Sequence, residues 1–365
     1  MKRNNTNLSI CKAIAIILMC AGHTEGPKLL MDFIYLFHMP VFFIAAGYFF
    51  DKKYLNDPWT FCTKRFKGLY VPFVKWSLFF LVFHNLFFRI GLLNEHYGNW
   101  AGGVTHPYDW YQFYQRMVHI VFSMGGYDEF LAGAFWFFRA LLVSSIVFLV
   151  LYLLLHDRHK WLNHDTVPIL IAALAIGFAW FKVANHLNII TIVQGGIREC
   201  WGVLFFSLGV LYRRHESRIR EHWALTLLYA ALLVGGAALG FQGMALKVEL
   251  RTVATLPVTG AIGFLMVHAI ASWIDRHEGI VKRFLVYCGN NTLYIFVFHI
   301  ISFKIVSALK IWYYGLDWGQ IGCHMVIHDG STTDFFWVLY TIVGTAVPLL
   351  GIWTCRKLKL RIAEK

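Results

Sequence analysis

Lys12, His23 and His38 lie inside, or at the ends of, strongly apolar runs, where ionisable side chains are costly and face a protein interior or a water-filled cavity. Lys12 and His23 share the first run, eleven positions or about three helical turns apart. His38 precedes Pro40 in Phe37-His38-Met39-Pro40-Val41-Phe42-Phe43. Arg139 follows Phe135-Trp136-Phe137-Phe138, and His299 follows Asn290-Asn291-Thr292-Leu293-Tyr294-Ile295-Phe296-Val297-Phe298. A hydroxyl is a poor nucleophile until a base takes its proton, and histidine is the side chain best suited to do so near neutral pH. Arginine can orient a carbonyl or stabilise an oxyanion. The plainer alternatives are an interfacial position for each histidine taken alone and a snorkelling side chain for Arg139.

The elements that position these residues are membrane helices. Hydrophobic residues make up 58% of the 365 and charged residues only 15%, well below the roughly 25% of a soluble chain. The mean hydropathy of +0.56 agrees. Windows of about 20 apolar residues give ten candidate spans, near 8–24, 33–50, 68–91, 134–155, 166–184, 196–212, 222–242, 253–272, 285–306 and 334–354. The expectation is an all-α, polytopic transmembrane bundle, one domain over 1–365. The first run carries Lys12 and His23 and no small-residue cleavage site follows it, so it reads as a span and not as a signal peptide.

A net charge of +13 could suggest nucleic acid, but its distribution argues against that. Lys and Arg gather in every second loop: Lys2 and Arg3, then Lys52, Lys53, Lys64, Arg65 and Lys67, then Arg158 and Lys160, then Arg213, Arg214, Arg218 and Arg220, then Arg276, Lys282 and Arg283, then the tail. This is the positive-inside pattern. With an even number of spans it puts both termini in the cytoplasm. His23, His38, Arg139 and His299 then converge near one depth toward the outer face. Lys12 lies toward the inner leaflet, on the side of Lys64, Arg65 and Lys67, which could bind the phosphates of a nucleotide cofactor or could simply set topology. Two long outer segments, 92–133 and 307–333, mix Trp and Tyr with carboxylates and amides. Such a mixture suits a sugar and also suits an aromatic belt at the interface.

Other patterns carry less. His324 to Asp329 has an H-x4-D spacing, which we read as chance in an outer loop. Cys323, His324, His328 and Asp329 are a weak metal-ligand pattern, and no metal is expected. Seven cysteines give no disulfide framework.

Taken in order, these residues resemble the acyltransferase-3 family of integral membrane acyltransferases, in particular its fucose 4-O-acetylase-like branch. Lys12 through His23 is similar to the family's Arg/Lys-x10-His signature, and Phe37 to Phe49 to its F-H-M-P-x-F-F-x-x-x-G-Y-F run. Leu69-Tyr70-Val71-Pro72-Phe73, Ala134-Phe135-Trp136-Phe137, Gly289-Asn290-Asn291-Thr292-Leu293-Tyr294 through His299, and Trp337 to Pro348 resemble its later motifs. The chain departs from the pattern at Ser9, where many members carry Asp, at Lys12, where many carry Arg, and at Ala45-Ala46, where a small residue and Ser precede Gly-Tyr.

The resemblance implies an acyl-CoA donor, usually acetyl-CoA, and a carbohydrate hydroxyl as acceptor. It gives the expected reading: an O-acyltransferase of the bacterial inner membrane acting on a cell-surface or lipid-linked glycan. His23 would be the general base, with His38 assisting. Lys12, Lys64, Arg65 and Lys67 would hold the donor. Trp136, Arg139, Asn291 and His299 would line the acceptor side. Two rivals stay open: a transporter or flippase of a polar, glycan-related substrate, which would use the same intramembrane Lys and His, and a pH-reading sensor.

Overall fold

The computed structural model describes residues 5–97, 106–189, 193–219, 221–330 and 332–363, with the backbone alone at 193 and 359–363. Lys2, Arg3, Trp100, Arg220 and Lys365 therefore lie outside the described residues. Among the described residues the regular structure is entirely helical.

Each apolar run is helical, but they are not equal. Among the described residues, seven helices are long and apolar enough to cross a membrane: Lys28–Tyr48, Pro58–Arg89, Gly133–Leu155, Thr166–Ala184, Leu250–Asp275, Thr292–Tyr314 and Phe336–Leu358. Thr6–Gly22 and Trp223–Ala238 are apolar and shorter. Ile197–His215 carries Arg198, Glu199, Arg213 and Arg214, which keep it out of that set although its residues are largely buried. The ninth run starts later than its hydropathy suggests. Ile280–Asn290 is a separate amphipathic helix, and Asn291 separates it from Thr292–Tyr314 without a side-chain capping hydrogen bond. Pro257 is carried inside Leu250–Asp275 without ending that helix.

Local sequence explains the breaks that matter. The first helix begins where Asn5 Oδ1 accepts the Leu8 N–H, and ends where the Thr24 hydroxyl donates to the Ala21 carbonyl, ahead of Gly26 and Pro27. Pro40 has no N–H for a continuous helix. The chain breaks at Leu36-Phe37 and restarts with His38–Tyr48, where proline sits in the first turn and nothing is lost.

The helices form two compact units. The first comprises Met1–Ala15, Lys28–Pro72 and Phe137–Val286. In it Ile197–His215 packs on His38–Tyr48 and Thr166–Ala184. A Cβ at Gly47 would overlap the Phe206 backbone, and one at Gly209 the Ile44 backbone, so two glycines allow this close approach. One end of the unit is tied by polar contacts: Tyr48 donates to Glu216 (2.7 Å), Thr6 to Asp275 (2.8 Å), and Ser272 to Glu221 (2.5 Å).

The second unit comprises Ile16–Pro27, Phe73–Trp136 and Tyr287–Lys365. Its helices Thr292–Tyr314 and Phe336–Ala363 pack through Phe303, Val306 and Tyr340. The loop between them is pinned from both. Lys304, buried in the first, donates to the carbonyls of Ile321 (2.7 Å) and Cys323 (2.5 Å), and the Tyr340 hydroxyl accepts the Val326 N–H (3.1 Å). Hydrogen bonds to a charged group are worth roughly 1.5–3 kcal/mol each. Lys304→Met, which keeps the chain length and removes the donors, should therefore loosen this loop. Hydrogen exchange at residues 321–326 is expected to rise by an order of magnitude or more; unchanged protection there would show that Tyr340 and the surrounding packing hold the loop alone.

Candidate active site

In the second unit, Thr6–Gly22 delivers His23 one residue past its end, and Thr292–Tyr314 presents His299 from its interior. The two rings meet, with His23 Nδ1 2.8 Å from His299 Nε2 and centroids 5.0 Å apart. His299 is fully buried and His23 half-buried.

The partners fix the tautomers. His299 Nδ1 lies 2.9 Å from the Phe296 carbonyl and 3.2 Å from that of Ile295, and carbonyls only accept. His299 Nδ1 therefore carries its hydrogen and, in the neutral ring, Nε2 is bare. His23 Nδ1 must then be the donor to His299. That leaves His23 Nε2 with a lone pair and no partner among the described residues: the electronic state of a general base, set by the hydrogen bond at the other nitrogen.

A third imidazole completes the cluster. His324 lies edge-on to His23 with centroids 6.3 Å apart, and edge-on to Phe130 (5.9 Å) and Phe303 (6.3 Å). Removal from water, and next the neighbouring His23 and Lys304, push its pKa down to about 3. The ring is thus neutral through the physiological range. The spacing of His324 to Asp329 carries nothing, but the ring itself lies against His23. Lys304 and Lys310 break the same apolar run as His299, and Lys304 anchors the loop that carries His324. Among the described residues no group of three His, Cys, Asp or Glu side chains is arranged to hold a metal ion. His328 stacks instead on Tyr314 (4.0 Å).

Two further buried charge groups frame this unit. Lys310 is paired with Glu25 (2.9 Å) and Asp334 (3.3 Å). Burial raises the Glu25 pKa, and Lys310 opposes that. His84 contacts Asp128 through Nδ1 (2.8 Å) and the His106 carbonyl through Nε2 (2.9 Å), with its ring stacked on Tyr108. Both nitrogens of His84 are engaged by oxygen atoms. It braces the turn whose Asp128 also caps the Phe130 and Leu131 N–H groups.

The remaining expected residues divide. Trp136 is buried in the second unit. Asn291, also there, is taken up structurally: it donates to the Tyr287 carbonyl and accepts from Arg356, both at 2.8 Å. His38, Arg139 and the basic group lie in the first unit. His38 is buried, its Nδ1 2.8 Å from the Ile34 carbonyl exposed by the helix break, which leaves Nε2 as acceptor. Arg139 forms a buried pair with Glu199 (3.1 Å) and reaches Gln194. Arg65 donates to the Ala46 carbonyl (3.1 Å) and packs its guanidinium over Phe61 and Phe206. Lys64 is exposed beside Tyr54, and Lys67 is exposed. Lys12 is half-buried and makes no hydrogen bond or ion pair with the described residues.

No curated protein and no solved structure matches the chain closely enough to show kinship. A family model does: that of the acyltransferase-3 family, described as an acyltransferase domain, matches residues 5–357. Matched over nearly its whole length, and with helices long and apolar enough to cross a membrane, the chain belongs to the acyltransferase-3 family.

Proposed function

We propose that the protein moves an acetyl group from acetyl-CoA to a hydroxyl of a cell-surface or lipid-linked carbohydrate, in the bacterial inner membrane with both termini cytoplasmic, as a member of the fucose 4-O-acetylase-like branch. The observation that carries the reading is the His23–His299 contact and the bare His23 Nε2 that it implies. In this mechanism Nε2 takes the proton of the acceptor hydroxyl as its oxygen attacks the thioester carbonyl. The C–S bond breaks, and the proton follows to the departing thiolate. His299 holds His23 in the productive tautomer and accepts from Nδ1 while the ring is transiently charged. His38 is the second histidine of this reading, assisting or binding the acceptor.

Lys12, Lys64 and Lys67 are the donor-side cations of this reading. Lys12 favours an anionic ligand most, because a half-buried ammonium without a partner is costly to leave so. Arg65 belongs to the same group, but its packing over Phe61 and Phe206 means that Arg65→Ala would also disturb the fold. Charge-assisted contacts to phosphate are worth roughly 1.5–3 kcal/mol each, so Lys12→Met should raise the donor KM about tenfold or more. The check is initial-rate kinetics over a range of acetyl-CoA concentrations with a fixed glycan acceptor. A donor KM equal to wild type would remove Lys12 from the donor site.

A further inference from the structure

His23 stands one residue past the end of its helix, so its place depends on what holds the turn 23–27. Thr24 ties the start of that turn back to the Ala21 carbonyl, through its N–H (3.0 Å) and its hydroxyl (2.7 Å). Gly26 and Pro27 have no polar side chain. Glu25 supplies a tie between them: its Oε2 accepts from Lys310 at 2.9 Å. Lys310 lies on the same helix as His299, eleven positions or about three turns further on. The turn is thus held against one helix at two points, His23 on His299 and Glu25 on Lys310.

Neutralising Lys310 does not require Glu25. Asp334 pairs with the same ammonium at 3.3 Å and is itself fixed, accepting from the Tyr314 hydroxyl (3.2 Å) and the Phe336 N–H (3.0 Å). Two carboxylates against one buried lysine leave an excess negative charge. Glu25 Oε1 is buried without a hydrogen-bond partner among the described residues. Stability alone does not favour this arrangement, since a buried charge short of partners is costly.

We infer that Glu25 is a positioning residue: its ionised carboxylate on Lys310 fixes the turn that carries His23, so that the ring keeps its Nδ1 on His299 and its Nε2 toward the acceptor hydroxyl. The inference rests on His23 as base and adds what aligns it. A pH dependence follows. The titratable groups around Glu25 are Lys310 on the helix and Asp329 and Asp334 on the loop beyond it, with Tyr314 on Asp334, His328 on Tyr314, and Tyr340 on the last helix. Burial raises the Glu25 pKa; Lys310 opposes this, and Asp334 and Asp329 add to it. Acidification therefore protonates Glu25 sooner than an exposed glutamate and removes the charge that holds the turn.

Glu25→Gln keeps the shape and an oxygen for Lys310 but removes the charge. Purified wild type, Glu25→Gln, His23→Ala and the double variant would be assayed with labelled acetyl-CoA and, as acceptor, envelope glycan from a strain lacking the gene. Misplacing a catalytic group by about one ångström can cost on the order of a hundredfold, so we expect Glu25→Gln to lower kcat by roughly ten- to a hundredfold. The acetyl-CoA KM should be unchanged and the thermal midpoint not lowered, because Asp334 still pairs with Lys310. The ratio of wild-type to Glu25→Gln kcat should fall toward one as pH is lowered, since protonated glutamate and glutamine are alike in charge. The titration of the histidines is common to both proteins and cancels in that ratio. In the His23→Ala background Glu25→Gln should cost nothing further. Wild-type kcat in Glu25→Gln, a loss that comes with a lower thermal midpoint or failure to accumulate, a ratio independent of pH, or a full further loss in the double variant would each overturn the inference. Failure of the base assignment shows separately, as near-normal kcat in His23→Ala.

Discussion

His23→Ala should reduce acyl transfer by about 10²–10⁴-fold, the usual contribution of a general base, while donor binding stays near wild type. The expectation follows from hydrogen positions more than from burial. His299 is committed as a donor to Phe296 and Ile295, so it can only accept from His23, and the His23 nitrogen facing away is left basic. Purified enzyme assayed at saturating acetyl-CoA measures the loss in kcat, and equilibrium binding of labelled acetyl-CoA shows that the donor site persists. Near-normal turnover in His23→Ala would move the base to His38, whose Nδ1 is likewise tied to a carbonyl. It could equally move to His299, whose Nε2 loses its partner when the His23 ring is removed.

The second large effect is on stability. Arg139 and Glu199 are both buried and paired at 3.1 Å, with Gln194 satisfying part of the remaining guanidinium. Removing one partner leaves a buried charge uncompensated, which costs about 3–5 kcal/mol, whereas replacing both by apolar groups can be close to neutral. Arg139→Met should therefore lower the thermal midpoint of the detergent-solubilised protein by several degrees, and Arg139→Met with Glu199→Met should recover most of it. A single variant as stable as wild type but unable to bind the acceptor would instead support the substrate-contacting role first expected of Arg139.

How legible this was differs from residue to residue. The apolar runs declared the helices, because a bilayer demands about 20 apolar residues whatever the fold. Their limits were less clear where charge sits inside the fold. Ile197–His215 is low in hydropathy because it carries Arg198 and Glu199, and the partner of Glu199 is sixty positions earlier in sequence, where no local pattern points to it. Lys12, His23 and His299 stood out because each breaks an apolar run. Lys304 and Lys310 break the same run as His299, but nothing in the sequence shows that Lys304 anchors the loop that carries His324 while Lys310 pairs with Glu25. Asn291 and Arg65 show the opposite limit: a polar residue in a motif looks alike whether its bonds go to a ligand or, as here, to Tyr287, Arg356 and Ala46.

Acetylation of a glycan hydroxyl with His23 as base is tested most directly by mass spectrometry of envelope glycans from three otherwise identical strains: one with the wild-type gene, one without it, and one with His23→Ala at equal membrane abundance. An added acetyl ester is expected in the first strain alone. The same ester pattern in the strains with and without the gene, or full acetylation by His23→Ala, would contradict it.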